Sequence, residues 1–220
     1  MKIVTLLENT SHCPGLAAGW GLSLYVETAK RKVLFDMGPD ASFLDNAEAL
    51  GADLAAVDAA VLSHGHYDHG GGLAAFCARN RKAKIYLRRE ALGAYYAVPP
   101  GEEPRYIGLP ETEALADRFI FTGNREDLGD GLTLFSDIED DKSLRAAAPK
   151  LQEKVGEAFR PDGFAHEQHL LAEENGRAAL LIGCGHSGVV NILRAAKRHL
   201  GRMPDVVFGG FHLFELAPGA

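Results

Sequence analysis

Apolar and polar positions alternate early in the chain, the period-two signature of half-buried strands. Residues 2–8 are apolar and β-branched, and residues 21–27 (GLSLYVE) alternate. Val33-Leu34-Phe35 follow a turn at Ala29-Lys30-Arg31-Lys32 and end at Asp36-Met37-Gly38. The pattern then predicts a helix over 41–50, with Gly51 as its C-terminal cap. A short buried strand at 59–62 runs into Ser63-His64-Gly65-His66-Tyr67-Asp68-His69-Gly70-Gly71-Gly72. A helix over 73–80 and a strand over 83–87 are expected next. Strand, loop, helix, strand is a βαβ arrangement, which gathers polar chemistry in the loops beyond the carboxyl ends of its strands.

The middle of the chain is less regular. Residues 96–110 hold Pro99, Pro100, Gly101, Pro104, Gly108 and Pro110 and read as a loop, long enough for a lid or a substrate wall. Residues 118–122 and 132–136 are expected to form a hairpin, and 143–159 a helix interrupted at Pro149. The last third is clearer. Strands over 169–173 and 177–182 flank Asn175-Gly176, a strong two-residue hairpin turn. The second ends in Gly183-Cys184-Gly185-His186-Ser187-Gly188. Residues 189–200 place Val189, Ile192, Leu193, Ala196 and Leu200 on one side and Arg194, Lys197 and Arg198 on the other, an amphipathic helix closed by Gly201. A final strand over 205–208 leads to Gly209-Gly210-Phe211-His212. The two halves share a plan: strand, histidine-bearing loop, helix.

Composition narrows the function classes. A chain of 220 residues, 46% hydrophobic and 24% charged, can bury a globular core without help from disulfides or metal. A net charge of −7 argues against nucleic acid as a partner. No apolar run approaches the ~20 residues of a membrane helix. The opening residues lack the apolar region and cleavage site of a signal peptide. Cys13, Cys77 and Cys184 are too widely spaced for a disulfide framework, which fits a reducing cytoplasm. The expected partner is a small-molecule substrate, with no nucleic acid and no membrane; a homodimer is allowed.

Histidine stands out, with nine in the chain and three between positions 64 and 69. Imidazole and carboxylate are ligands that borderline divalent metals prefer, zinc above all. The i, i+2 spacing of His64 and His66 lets both rings point to one side of an extended backbone and chelate one ion. Asp68 and His69, at the turn into the helix, can face a second. Zinc takes about four ligands, one of them water at a catalytic site, so the rest must come from later in the chain. Three places qualify: His166, Cys184 with His186, and His212. The other candidates have plainer readings. His12 and Cys13 suit a surface loop, Cys77 a core, His169 a strand and His199 a helix end. The run Arg79, Arg81, Lys82, Lys84, Arg88, Arg89 suits a solvated face.

The loop SHGHYDHGGG after an apolar strand resembles the metal motif of the metallo-β-lactamase fold superfamily, and the resemblance spans nearly the whole chain. Within it, Glu8-Asn9-Thr10, GLSLYVET, RYIGLP (105–110), HEQHL (166–170), GCGHSGVVNIL (183–193) and GGFHL (209–213) resemble one branch. That branch is named after 7,8-dihydropterin-6-methyl-4-(β-D-ribofuranosyl)aminobenzene-5'-phosphate synthase, and its members are often described only as metal-dependent hydrolases. The resemblance implies a four-layer αββα sandwich, two mixed sheets packed face to face with helices outside, as one domain over 1–220. It implies one metal held by His64, His66 and His166 and another by Asp68, His69 and His212, with Asp36 supporting the histidine loop. The expected ions are two zincs, with iron or manganese as alternatives. Cys184 stands where many relatives carry a bridging Asp, so Cys184 and His186 are alternative ligands, and His186 is otherwise a substrate contact. Trp20 stands where a polar residue is expected, and relatives usually continue beyond His212 with a further strand, helix and His-Cys segment.

The chemistry implied is that of a metal-dependent hydrolase or related transferase acting on a small anionic substrate, phosphate- or pterin-like. Asp68 would orient an activated water, and His186 would assist at the reacting centre. The backbone N–H groups at 186–188 would contact anionic parts of the substrate. Two alternatives remain on this scaffold: a di-iron redox or oxygen-handling site, and a metal-binding relative that turns over nothing.

Overall fold

The computed structural model describes residues 1–110, 112–145, 148 and 150–212. Its first part runs β1 (Lys2–Leu7), β2 (Ser23–Glu27), β3 (Lys32–Phe35), α1 (Ser42–Ala49), β4 (Ala59–Val61), α2 (Tyr67–Gly70), α3 (Leu73–Arg79) and β5 (Lys84–Leu87). The middle supplies β6 (Tyr95–Ala97), β7 (Arg105–Tyr106), β8 (Phe119–Phe121), β9 (Arg125–Gly129), β10 (Leu132–Phe135), β11 (Leu151–Val155) and β12 (Ala158–Pro161). The last part is β13 (His169–Glu174), β14 (Arg177–Ile182), α4 (Val189–Leu200) and β15 (Val206–Gly209).

Two mixed sheets dominate. One has the order β1-β2-β3-β4-β5-β8, antiparallel as far as β3 and parallel beyond it. The other is β15-β14-β13-β10-β9, with only the β14–β15 pair parallel. Strand alternation decides which side chains meet. Leu24, Val26, Val33, Phe35 and Val61 of the first sheet pack against Leu132, Leu134, Leu170, Ala172, Ala179 and Leu181 of the second. The intervening residues Tyr25, Leu34 and Ala60 turn outward onto Phe43 and Ala47 of α1 and Leu73 and Phe76 of α3. On the far side, Leu180 and Ile182 face Ile192, Ala195 and Ala196 of α4. Helix, sheet, sheet, helix is the expected sandwich.

The hairpin at Asn175-Gly176 forms as expected. Both residues take positive φ (51° and 74°), the backbone of a primed turn whose twist matches the strands it joins. Helix α4 ends where Gly201, at φ 73°, donates its N–H to Lys197 O.

Three expectations in the middle of the chain need correction. First, 118–122 and 132–136 do not pair. β8 joins the first sheet beside β5, where Phe119 is buried, while β10 joins the second between β9 and β13. The actual hairpin is β9–β10, closed through Asp130 and Gly131 at φ 56° and 81°. Second, 143–159 is not a helix: the described residues give a short turn at Lys142–Leu144, then β11 leading into β12. Pro149 lies outside the described residues. Third, 96–110 is not wholly loop, because β6 and β7 pair within it. These strands form a third sheet, β12-β11-β6-β7, which the two-sheet expectation lacked. It closes over Tyr95, Ala97, Ile107, Leu151 and Phe164. Among the described residues no helix is long and apolar enough to cross a membrane.

Candidate metal centre

Parallel pairing brings the chemistry together. β3 and β4 run parallel with Phe35 opposite Val61, so the residues that follow them, Asp36 and Ser63-His64, leave the sheet at the same edge. β14 and β15 also run parallel, with Ile182 opposite Gly209, so Cys184 to His186 and Phe211-His212 leave the second sheet together. Gly183 marks where the two edges touch: a Cβ there would sit 2.1 Å from Ser63 Oγ.

Asp36 organises the first edge. Its backbone holds φ 59°, and its N–H donates to Val61 O at 2.9 Å. The buried carboxylate takes the Ser63 N–H on Oδ1 (2.7 Å), and the Ser63 hydroxyl (2.7 Å) and His69 Nδ1 (2.6 Å) on Oδ2. With its proton given to Asp36, Ser63 Oγ is left to accept from His64 Nδ1 at 2.8 Å. The network therefore places protons of His64 and His69 on Nδ1, leaving the His64 Nε2 lone pair facing inward and turning His69 Nε2 toward Cys184 Sγ. Asp36 thus supports the histidine loop, through one contact to His69 and one relayed by Ser63.

His64, His66 and His186 converge, with ring centroids 4.6 to 5.1 Å apart. Their ligand-type atoms lie within 4.8 Å of one another. The same limit holds for His64, His69 and Cys184, for Cys184, His186 and His212, and for His66, Asp162 and His166. Cys184 belongs to two of these groups, and its Sγ is 3.1 Å from His69 Nε2. His64 Nε2, His66 Nε2 and both ring nitrogens of His186 are buried without a hydrogen-bond partner. Unpaired buried lone pairs pressed together are costly, and a divalent cation is the group that satisfies them. Burial and the neighbouring imidazoles hold the pKa of His64 and of His186 well below the usual histidine value. Burial also lowers that of His66, against the pull of Asp162. Neutral imidazole is the form that binds metal. Burial pushes the Cys184 thiol up, with His69 working the other way.

The expected ligand sets divide differently in space. His186, not His166, joins His64 and His66. His212 joins Cys184 and His186 rather than Asp68 and His69. Asp68 is buried beside the cavity with Oδ2 3.8 Å from His69 Nε2, and it falls in none of the four groups among the described residues. The N–H groups of His186 and Ser187 are not available to a substrate either. Glu167, buried, takes them on its two carboxylate oxygens at 2.8 and 2.9 Å. Gln168 ties the same segment to the first sheet: its backbone N–H reaches Ser63 O (2.7 Å) and its amide reaches Leu62 O and Tyr86 O (2.8 and 3.0 Å).

A cavity of about 470 Å³ opens above this cluster. His66, Asp68, His69, Cys184, His186 and His212 face it, and Trp20, Tyr67 and Phe211 supply aromatic surface. The expected substrate wall does border it, through Ala97, Arg105 and Ile107. Ser63, Asp162 and Glu167 were missed in the sequence. Ser63 directly precedes His64, and Asp162 stands four residues before His166, spacings that carry a signal only once a ring needs an orienting partner.

A sequence model of the metallo-beta-lactamase superfamily matches residues 19–193. The chain belongs to this superfamily. A crystal structure described as a metal-dependent hydrolase of the beta-lactamase superfamily superposes with a TM-score of 0.83 at 28% identity, over 98% of this chain and 78% of the other. An uncharacterized protein of Methanocaldococcus jannaschii is 27% identical over 96% of this chain and 79% of its own length. The same organism's 7,8-dihydropterin-6-methyl-4-(beta-D-ribofuranosyl)-aminobenzene-5'-phosphate synthase is 25% identical over 98% of this chain and 78% of its own. Metal ions are a feature of this superfamily, and the donor set described above fits them.

Proposed function

We propose that this chain is a zinc-dependent hydrolase or related group-transfer enzyme that holds two ions and acts on a small anionic substrate. The observation that carries the reading is the convergence of the partnerless buried atoms His64 Nε2, His66 Nε2 and the His186 ring nitrogens, where His66 and His186 line a solvent-facing cavity and His64 lies buried beside them. His64, His66 and His186 would hold one ion. Cys184, with His69 and His212 beside it, would take part in holding the second. When bound, zinc supplies a Lewis acid and an acidified water.

The chain's own residues do the rest. Asp68, on the cavity wall beside His69, orients the attacking water and receives its proton. Asp36 and Ser63 keep the His64 and His69 rings in the tautomer that offers Nε2. Arg105 and Lys150 line the cavity and give it a cationic side despite the chain's net charge of −7, which suits a phosphate or carboxylate. Trp20 and Phe211 offer flat apolar surface to a ring. Together these favour a phosphorylated, pterin-like substrate, in keeping with the name of the M. jannaschii synthase. Free thiols at Cys13, Cys77 and Cys184 suit a reducing compartment such as the cytoplasm.

The test is turnover of a panel of phosphodiesters, phosphomonoesters and lactones, including phosphorylated pterins, by zinc-loaded, chelator-stripped and zinc-restored protein. Turnover should vanish on stripping and return with zinc. Full activity in the stripped sample overturns the reading.

A further inference from the structure

Both ring nitrogens of His166 are occupied by protein, one by a backbone N–H and one by a carboxylate, whereas the second partner of His69 is Cys184, itself a candidate ligand. Nδ1 accepts the Gly65 N–H at 2.8 Å. A neutral imidazole that accepts at Nδ1 carries its proton on Nε2, and Nε2 lies 3.0 Å from Asp162 Oδ2, to which it donates. No lone pair is left for a metal. The ring is fully buried and lies on Tyr95 at a centroid distance of 4.1 Å, while the Tyr95 hydroxyl donates to Glu90 O at 2.6 Å.

What His166 holds is informative. Gly65 joins His64 to His66, and its peptide is confined on its other side as well, since a Cβ there would meet Ala91 O at 2.4 Å. Asp162 is held by the Phe164 N–H at 2.7 Å, and its Oδ2 also lies 3.7 Å from His66 Nε2. Asp162 directly follows β12, so the third sheet delivers the carboxylate that holds His166 as well as walling the cavity.

We propose that His166 and Asp162 are positioning residues of the metal centre and not ligands: His166 fixes the Gly65 peptide between the two motif histidines, and Asp162, itself held by the Phe164 N–H, holds the His166 ring for that contact. This rests on the metal-dependent reading above. Glutamine at 166 can still accept from Gly65 N–H and donate to Asp162; alanine can do neither.

The test compares wild type, H166Q, H166A and D162N by zinc content after dialysis, by zinc affinity against a chelating indicator, and by the visible spectrum of the cobalt-substituted protein. All four should bind the same number of ions with the same cobalt band pattern. H166A and D162N should lose about 10–100-fold in zinc affinity. H166Q should recover most of that loss, and it serves as the decisive variant if H166A does not fold. An H166Q protein that binds one ion fewer, or whose cobalt bands change, overturns the positioning role and makes His166 a ligand. A wild-type protein that binds no zinc overturns the metal-dependent reading itself, and this inference with it.

Discussion

Asp36 Oδ2 stands 2.6 Å from His69 Nδ1, with both side chains sealed from solvent. The contact joins the end of β3 to the histidine loop after β4, and the same oxygen takes the Ser63 hydroxyl that backs His64. One carboxylate thereby sets the proton positions of two rings in the cluster.

Replacing it should weaken metal binding before it unfolds the protein. Asn tolerates the positive φ of Asp36 but cannot accept from Ser63 and His69 on one charged oxygen. D36N should fold and lose about 10–100-fold in zinc affinity. A competition titration with circular dichroism as control reads this out. Unchanged affinity would remove Asp36 from its supporting role.

His186 and His166 should behave oppositely on truncation. H186A should lose bound zinc, because His186 is the third member of the trio with His64 and His66. Zinc per chain by atomic emission decides it, and an unaltered content in H186A argues that another residue completes the trio. C184S tests the second group in the same assay, with loss of one ion expected.

Stripped of metal, the protein should weaken as pH falls from about 6.5 to 5, the range just below the ordinary histidine pKa. His64, His66, His169 and His186 all have pKa values pushed down by burial. The unfolded chain therefore binds protons first, and stability falls with pH through this window. His69 goes the other way: burial lowers its pKa, but Cys184, Asp36 and Asp68 outweigh that and raise it. Its contribution is already complete below the unfolded value, so it does not offset the loss. Urea unfolding of chelator-treated protein at both pH values measures the difference; a midpoint that rises on acidification contradicts the assignment.

Gly183→Ala should be destabilising out of proportion to one methyl group. The new Cβ would meet Ser63 Oγ at 2.1 Å and His64 Nδ1 at 3.1 Å. Overpacking of this kind costs about 1–3 kcal/mol. The clash falls on the hydroxyl that links Asp36 to His64, so zinc affinity should drop with stability. Chemical denaturation and a zinc titration on the same sample check both.

Elements with a strong local signal were legible in the sequence. The alternation of Leu24, Tyr25 and Val26 sorts inner from outer faces, Asn175-Gly176 makes its turn, and the 189–200 pattern becomes α4. The third sheet was not legible. Its strands are short and partly exposed, Arg105–Tyr106 being only two residues long, and apolar periodicity cannot register them. β8 and β10 misled for a related reason: each is a plausible strand, but which sheet it joins depends on packing partners distant in the chain.

Most strands and helices, the His64–His69 loop at a strand end and most of the residues able to bind metal could be read from the sequence, because periodicity and ligand chemistry are local properties; the sandwich followed from the resemblance that the loop carries. Tertiary structure alone decided which of those residues meet. His186 reaches His64 and His66 because β14 ends at the loop edge where Glu167 pins its turn. His166 is turned to Gly65 and Asp162 instead. Ligation depends on which ring nitrogen keeps a free lone pair, and that is set by hydrogen bonds between segments far apart in the chain, as from the Gly65 N–H to His166 Nδ1.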